Sequence, residues 1–259
     1  MYKQFLALSF ILTISVLTIC SLSSRAESAN TTPTPVLIEL FTSEGCSSCP
    51  PADRFLEELD SKQPIPGAQL IVLSEHVTYW NSEGWKDPFS LQDVTARQSE
   101  YGNQFKLASV YTPQMVVDGE SQFTGSDVRA AQESVKKAIS EPKIPVRITS
   151  TTDSPGKLKA HVEAGEGSGT VYVALALNHA ESKVLHGENG GHRLTHVAVV
   201  QSLEQVGNLK KDKEFARDVE VKIPRDTDPG NLRVVAFIQQ SNGNTPGKVV
   251  GSALSSPTK

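Results

Sequence analysis

Strand and helix patterns alternate along the first half of the chain. A continuous apolar run at Leu37–Phe41 predicts a buried strand, and Leu70–Leu73 predicts a second one. Between them, apolar residues recur at positions i, i+3, i+4 and i+7, which is the spacing of one helix face. These residues are Ala52, Phe55, Leu56 and Leu59. The order predicts a strand–helix–strand unit.

Three further elements complete this half. Asp87-Pro88 is typical of a helix start and predicts a helix running toward Gln104. Asp118-Gly119 is a hairpin signal between two short strand patterns, Met115–Val117 and Gln122–Thr124. Ser126 then caps a predicted helix that ends before a proline at position 142.

The pattern changes from Lys143 onward, where helical periodicity disappears. Seven short β-rich runs alternate with turn residues, which favours an antiparallel sandwich or a small barrel. The runs are Val146–Ser150, Leu158–Val162, Val171–Leu177, Val197–Val200, Val219–Ile223, Val234–Ile238 and Val249–Ala253. The sequence therefore predicts an α/β domain over 35–142, a mainly antiparallel β domain over 143–254, and a tail over 255–259.

The N-terminus predicts a cleaved signal peptide over 1–26, followed by a linker over 27–34. Phe5 to Cys20 is uncharged and rich in apolar residues, and a small-x-small pattern ends at Ala26. The run is shorter than the roughly 20 residues of a spanning helix. A retained anchor is the alternative, and Cys20 would fit a lipoprotein except that the large Ile19 precedes it. We expect a periplasmic or secreted protein with no stable membrane span.

The net charge gives no support to two classes of partner. The chain carries a net charge of −4, and removal of the leader with its lysine and arginine makes it about −6. Nothing in this balance favours nucleic acid or an anionic membrane surface.

Cys46 and Cys49 form a C-x-x-C pair between the first predicted strand and the first predicted helix. Free N–H groups and the positive end of a helix dipole stabilise a thiolate at this position. We expect Cys46 to be the nucleophile and Cys49 the resolving thiol. A static disulfide and a metal site are the alternatives, although a bridge across so short a loop constrains the unfolded chain little.

Thr112-Pro113, directly before the third predicted strand, extends the pattern to a resemblance to the thioredoxin fold over residues 35–142. That superfamily places a cis-proline facing the cysteines, so the resemblance implies a cis bond before Pro113. It also implies that Pro113, as a site residue, shapes the groove where an extended substrate segment pairs, and that Thr112 contributes to substrate binding. It also implies that Glu39, on the first strand, is a buried acid that assists proton transfer. One extra residue lies between Glu39 and Cys46 relative to that pattern.

Longer motifs narrow the resemblance to a bacterial secreted thioredoxin-like family of unknown function, domain of unknown function family 1223. They run through both halves of the chain: ELFTSEGCSSCPPAD, HVTYWNSEGWKDPFS, ARQSEYG, VYTPQMVVDG, HGENGGHRLTH and VVAFIQQ. The resemblance supplies a fold and a compartment, and little about a substrate.

Two loops are candidates for the substrate surface. In a parallel strand–helix–strand unit the loop after Leu73 should lie beside Cys46, which makes His76 a candidate contact. The polar, glycine-rich segment around Glu188 and Asn189 is a second candidate for selecting a substrate. A solvated histidine and a distant surface loop are the respective alternatives.

The function that these patterns predict is thiol–disulfide exchange with a protein or a small thiol or disulfide, with a redox partner protein as a possible further contact. This chemistry requires neither an organic cofactor nor a metal. The alternative is a non-catalytic metal-handling or partner-docking module on the same fold. His192 and His196 form an H-x-x-x-H pair, but the neighbouring glycines favour a loop and a strand over a metal-binding helix.

Overall fold

The apolar run Leu37–Phe41 lies in an interior strand of a sheet, where both of its faces are covered. In the computed structural model, which describes residues 32–154, 156–243 and 245–258, β1 covers Thr34–Thr42 and β2 covers Ala68–His76. The two strands pair in parallel, with Thr34 opposite Ala68 and Thr42 opposite His76. The predicted signal peptide and most of the predicted linker lie outside the described residues.

The described chain has three α-helices, and each matches a predicted one, although α2 and α3 begin at other residues than predicted. Helix α1 covers Pro50–Lys62, α2 covers Gln92–Gln104 and α3 covers Val128–Ile139. The prediction that Asp87 begins α2 was wrong, because the Asp87 carboxylate is engaged elsewhere. The N-cap of α3 is Asp127, whose side chain accepts a hydrogen bond from the backbone N–H of Ala130.

Eight strands form one mixed sheet in the order β11-β10-β7-β8-β2-β1-β3-β4. β3 runs antiparallel to β1 and forms a hairpin with β4. β8 joins β2 in parallel through one register pair, Ser74 with Val199. The remaining strands are antiparallel to their neighbours. Their bounds are Gln114–Val117 for β3, Ser121–Thr124 for β4, Gly169–Lys183 for β7, Arg193–Leu209 for β8, Leu232–Asn242 for β10 and Thr245–Ser255 for β11.

A second, three-stranded sheet covers the outer face of the C-terminal strands. It consists of β5 (Val146–Ser154), β6 (Lys157–Ala164) and β9 (Phe215–Lys222) in the order β5-β6-β9. Its apolar side chains form one core with those of β7 and β10, and Leu158, Val162, Val173 and Val234 are among the buried members.

The predicted fold class, an α/β thioredoxin-like domain followed by a mainly antiparallel β domain, was wrong. All seven C-terminal strand patterns exist, but four of them extend the sheet that contains β1 and β2 instead of forming a sheet of their own. The protein is mostly β. Thr32–Lys259 form one compact unit. Apolar patterns predict that a strand is buried, but they do not specify which strand it pairs with. Here β8 pairs with β2, which joins the C-terminal strands to the first sheet.

The two faces of the central strands have different neighbours, which positions the site. Ile38 and Leu40 of β1 share a core with α1 and α3. Leu37 and Phe41 point to the opposite face and share a core with α2 and with strands β7, β10 and β11, among them Phe237. Among the described residues no helix is long and apolar enough to cross a membrane.

Candidate functional site

Cys46 and Cys49 form a disulfide in the turn that connects β1 to α1. The Cys46 N–H donates to the Ser43 carbonyl, and the Cys49 N–H donates to the Cys46 carbonyl, so the turn is tightly closed. Cys49 is the N-cap residue of α1, and Pro50 follows it at the first helical position. Neither cysteine has any exposed surface, whereas the two serines between them are exposed.

The segment 184–192, between β7 and β8, covers this turn; we call it the cap loop. Glu188 Oε2 accepts a hydrogen bond from the Ser47 N–H at 2.9 Å. The buried Asn189 donates through Nδ2 to the carbonyl oxygens of Glu44 at 2.8 Å and Cys46 at 3.0 Å. The Ser47 hydrogen bond lowers the pKa of Glu188. The structure thus brings Glu188 and Asn189 to the cysteine turn.

Gly187 allows the cap loop to lie close to the segment after β2. Its φ of +77° is in the left-handed region, which glycine adopts without steric cost. A Cβ at this position would also lie 3.1 Å from the Glu83 carbonyl oxygen and 3.3 Å from the Trp85 Cβ. A larger residue would push the cap loop away from Trp85.

Thr112 and Pro113 flank the same turn, and the peptide bond between them is cis, as the resemblance implies. Trp80 connects them to the cysteine turn. Its Nε1 donates to Thr112 Oγ1 at 2.7 Å, and its Cβ would be 3.0 Å from a Cβ at Gly45, next to Cys46. Pro113 is buried. Substrate contact by Thr112 and Pro113 stays a prediction.

Glu44 is buried below the cap loop and is hydrogen-bonded on both carboxylate oxygens. Oε1 accepts from the Ser182 hydroxyl and lies 3.3 Å from His196 Nε2. Oε2 accepts from Trp85 Nε1 at 2.8 Å. This carboxylate therefore joins the cysteine turn to β7, to β8 and to the segment after β2.

His76 lies at the end of β2 and not in a solvent-exposed loop. Its Nδ1 is 2.7 Å from Asp87 Oδ2, and both side chains are fully buried. Asp87 Oδ2 also accepts from the Glu44 N–H at 2.8 Å. Burial, the largest single influence, lowers the pKa of His76, but the carboxylates of Asp87, Asp53 and Glu44 together raise it. Burial likewise raises the pKa of Asp87, but His76 and the N–H groups of Glu44 and Phe89 together lower it.

Asp53 completes this group on the side of α1. Its Oδ1 accepts from the Thr42 hydroxyl at 2.8 Å, and its Oδ2 is 3.8 Å from His196 Nδ1. Burial raises the pKa of Asp53, and the neighbouring histidines only partly oppose this. The His76 and His196 rings pack edge to face with centroids 4.6 Å apart. We call the five side chains of Glu44, Asp53, His76, Asp87 and His196 the buried ionisable cluster.

Glu39, the predicted proton-transfer acid, lies on the other face of the sheet. Its carboxylate accepts from Arg97 Nε at 2.5 Å and from the Tyr101 hydroxyl at 2.7 Å, both on α2. Glu75 is buried beside it, and burial together with the Glu39 charge raises the pKa of Glu75 well above its usual range. The structure therefore does not bring Glu39 to the α1 side, where the cysteines are.

Two ring nitrogens of the buried ionisable cluster, His76 Nε2 and His196 Nδ1, have no hydrogen-bond partner. In the described part of the chain, no three or more histidine, cysteine, aspartate or glutamate side chains are arranged to hold a metal ion. His192, the other half of the H-x-x-x-H pair, is exposed in the cap loop.

Sequence similarity assigns the family. A family model described as a protein of unknown function, DUF1223, matches residues 37–239. The chain belongs to the DUF1223 family. No curated protein matches the chain by sequence.

Solved structures resemble the chain to different extents. The crystal structure of a protein from Agrobacterium tumefaciens is 26% identical with a TM-score of 0.67, over 86% of this chain and 94% of that one. A domain of the outer membrane lipoprotein Omp28 from Porphyromonas gingivalis is 15% identical with a TM-score of 0.30, over 46% and 92%. The sporulation control protein Spo0M from Bacillus subtilis is 16% identical with a TM-score of 0.28, over 44% and 48%. The first of these supports one architecture over most of this DUF1223 chain.

Sequence reasoning missed Glu44, Asp53, Asp87 and His196 as members of one site. Asp53 carried a usable signal, because it lies four residues after Cys49 and three before Leu56, on the apolar face of α1. His196 stood out only as half of the H-x-x-x-H pair, and no local signal linked it to Glu44, 152 positions away. The disulfide is consistent with an oxidising compartment outside the cytoplasm.

Proposed function

We propose that the Cys46–Cys49 pair of this DUF1223 protein performs thiol–disulfide exchange with a protein or a small thiol or disulfide. The observation that carries the proposal is the disulfide at the N-terminus of α1, between residues three apart. A disulfide that closes so short a loop restricts the unfolded chain little, so it contributes little to the stability of the folded protein. A helix N-terminus, in contrast, favours a thiolate.

Cys46 is the nucleophile in this proposal. Its Sγ lies 3.3 Å from the Ser48 hydroxyl, which can donate a hydrogen bond to a thiolate there. In the direction that oxidises the protein, the Cys46 thiolate attacks a substrate disulfide and releases one substrate thiol. Cys49 then attacks Cys46 Sγ, the mixed disulfide breaks, and the second thiol leaves. The protein dithiol loses two electrons and the substrate disulfide gains them.

The cap loop has to move for this exchange to occur, because both sulfurs are buried. Its side chains hold the cysteine turn through three hydrogen bonds: one from the Ser47 N–H to Glu188, and two from Asn189 to carbonyl oxygens. We place the reaction in the periplasm or outside the cell, where disulfides persist. A redox partner protein would restore the starting state.

Trapping of a mixed disulfide tests the proposal. Cys49→Ser should hold a substrate on Cys46 as a stable mixed disulfide, seen as a mass increase that a reductant reverses. Cys46→Ser is the matched control and should accumulate none under the same conditions. Equilibration of the unaltered protein with glutathione buffers should also give one two-electron transition. The proposal is wrong if the Cys49→Ser protein forms no adduct with either a small disulfide or an unfolded disulfide-containing protein.

A further inference from the structure

The side chains of the cap loop bind the backbone of the cysteine turn. Asn189 Nδ2 donates to the carbonyl oxygens of Glu44 at 2.8 Å and Cys46 at 3.0 Å, one on each side of the intervening glycine. Glu188 Oε2 accepts from the N–H of Ser47, the next residue along the chain. These three hydrogen bonds fall within four consecutive residues of the turn. The cap loop therefore fits one particular conformation of the turn.

That conformation depends on the disulfide. The Cys46 carbonyl oxygen accepts two hydrogen bonds, one from the Cys49 N–H at 3.1 Å and one from Asn189. The disulfide ties the same two cysteines together, with their Cα atoms 5.4 Å apart. In the dithiol this covalent restraint is gone and the two sulfurs move apart. Reduction thus removes a restraint on the carbonyl group to which Asn189 binds.

Charge acts in the same direction. The Glu188 side chain is exposed, and hydrogen bonding to Ser47 lowers the pKa of its carboxyl, so it is negatively charged at neutral pH. The disulfide is uncharged, whereas a helix N-terminus favours a thiolate on Cys46 in the reduced protein. This thiolate and the carboxylate bound next to it repel each other and compete for the same positive end of the helix. The closed cap loop therefore suits the disulfide better than the thiolate.

The cap loop can leave the turn without losing its own backbone hydrogen bonds. The Val184 N–H donates to the His192 carbonyl at 2.9 Å, and the Gly191 N–H donates to the Val184 carbonyl at 2.8 Å. The Gly190 N–H donates to the Gly187 carbonyl at 3.0 Å. Since none of these hydrogen bonds involves the turn, the loop can move as one piece.

We propose that the cap loop responds to the redox state of the cysteines: it closes on the turn when Cys46 and Cys49 form the disulfide, and it opens when they are reduced. The inference rests on the proposed exchange function and adds the regulation of that site. Coupling of this kind is reciprocal, so a loop that prefers the disulfide also stabilises the disulfide against reduction.

The coupling makes the dithiol a stronger electron donor than the turn would be without its cap loop. In each turnover the Cys46–Cys49 bond forms and a substrate disulfide breaks, so that two electrons pass to the substrate, which leaves as two thiols. The open loop exposes Cys46 for this attack. Closure over the product disulfide then favours completion of the reaction.

Equilibration with reduced and oxidised glutathione at pH 7, followed by alkylation and mass measurement, determines how much the loop stabilises the disulfide. Asn189→Ala removes two hydrogen bonds, each worth roughly two- to twelvefold in an equilibrium constant, and should shift the equilibrium toward the dithiol by about fivefold or more. Glu188→Ala should shift it the same way by about twofold or more. Asn103→Ala, at an exposed position on α2, is the matched control and should leave the equilibrium unchanged. A substitution that destabilises both redox forms equally does not move this equilibrium.

Amide hydrogen exchange of the unaltered protein measures the reciprocal effect. The Ser47 N–H donates to the Glu188 carboxylate, so it should exchange about fivefold or more faster in the reduced protein than in the oxidised protein. The Ala130 N–H, which donates to the Asp127 carboxylate at the start of α3, is the internal control. Its exchange should be the same in both redox states.

The outcomes separate the two proposals. If the unaltered protein does not equilibrate with glutathione, both the exchange function and the redox-responsive loop are overturned. If it equilibrates, but Asn189→Ala and Glu188→Ala leave the equilibrium unchanged or shift it toward the disulfide, only the loop proposal is overturned. Equal exchange of the Ser47 N–H in both redox states has the same meaning. Glu188→Ala carries the test alone if Asn189→Ala does not fold, because Glu188 is exposed.

Discussion

Arg97 holds a buried charge network together, and its removal should destabilise the protein strongly. The guanidinium donates to Glu39 at 2.5 Å, to Gln239 at 3.0 Å and to the Tyr101 hydroxyl at 3.0 Å. It also lies 5.0–5.7 Å from the centroids of three aromatic rings. In Arg97→Met the apolar contacts largely remain, whereas Glu39 keeps its charge beside Glu75 with no cation to balance it.

The magnitude follows from the cost of leaving one buried charge without its partner. Breaking a buried ion pair in this way costs about 3–5 kcal/mol. For a domain of this size each kcal/mol lowers Tm by about 2–4 °C, so Arg97→Met should melt roughly 6–20 °C lower. Glu39→Gln combined with Arg97→Met should recover most of the loss.

Urea unfolding of the oxidised protein at pH 7 measures the free energy of unfolding of each variant. Arg129→Met is the matched control, because this exposed arginine forms an i,i+4 pair on the surface of α3 and should give no measurable change. A loss below about 1 kcal/mol at pH 7 would refute the reasoning. Failure of Glu39→Gln to recover stability in the Arg97→Met protein would refute it as well, since the buried Glu39 charge could not then be its cause.

Two further predictions concern the other face of the sheet and the cap loop. Glu75 has a raised folded-state pKa, so its folded form holds a proton that the unfolded chain releases, and the unaltered protein loses stability as pH rises above about 4.5. Above that pH, the free energy of unfolding of Glu75→Gln should therefore exceed that of the unaltered protein by up to about 1.4 kcal/mol per pH unit. Urea unfolding at pH 4 to 7 measures this difference. Parallel curves of unfolding free energy against pH for the two proteins would contradict the prediction. Replacing both Glu188 and Asn189 by alanine should speed reduction of the Cys46–Cys49 disulfide by a small phosphine, because the cap loop loses its contacts with the turn; an unchanged rate would show that the cap loop does not limit access.

Local sequence patterns were sufficient to predict the main strands and helices and part of the candidate site. The apolar run of β1, the helical spacing of α1 and the hairpin at Asp118 each follow from interactions between near neighbours. The approach of Glu188 and Asn189 to Cys46 also matches the interpretation of their segment as a substrate-side loop. Whether they select a substrate stays a prediction.

Long-range pairing is what the sequence could not supply. The pairing of Ser74 in β2 with Val199 in β8 joins strands 125 positions apart. No local signal shows whether β8 joins this sheet or belongs to a separate β domain. Glu39 was expected near the cysteines because of its strand, but side chains alternate between the faces of a strand, and Leu40 and Thr42 take the α1 side.

The distance along the chain between the cysteine turn and its cap loop has a consequence during biosynthesis. Ser47 and Glu188 are separated by 141 positions, and synthesis at about 5–20 residues per second makes the second available roughly 7–28 s after the first. For that interval Cys46 and Cys49 exist without the segment that later encloses them. Until the cap loop folds over the turn, both thiols lack this cover against an oxidant, whereas in the finished protein both cysteines are buried.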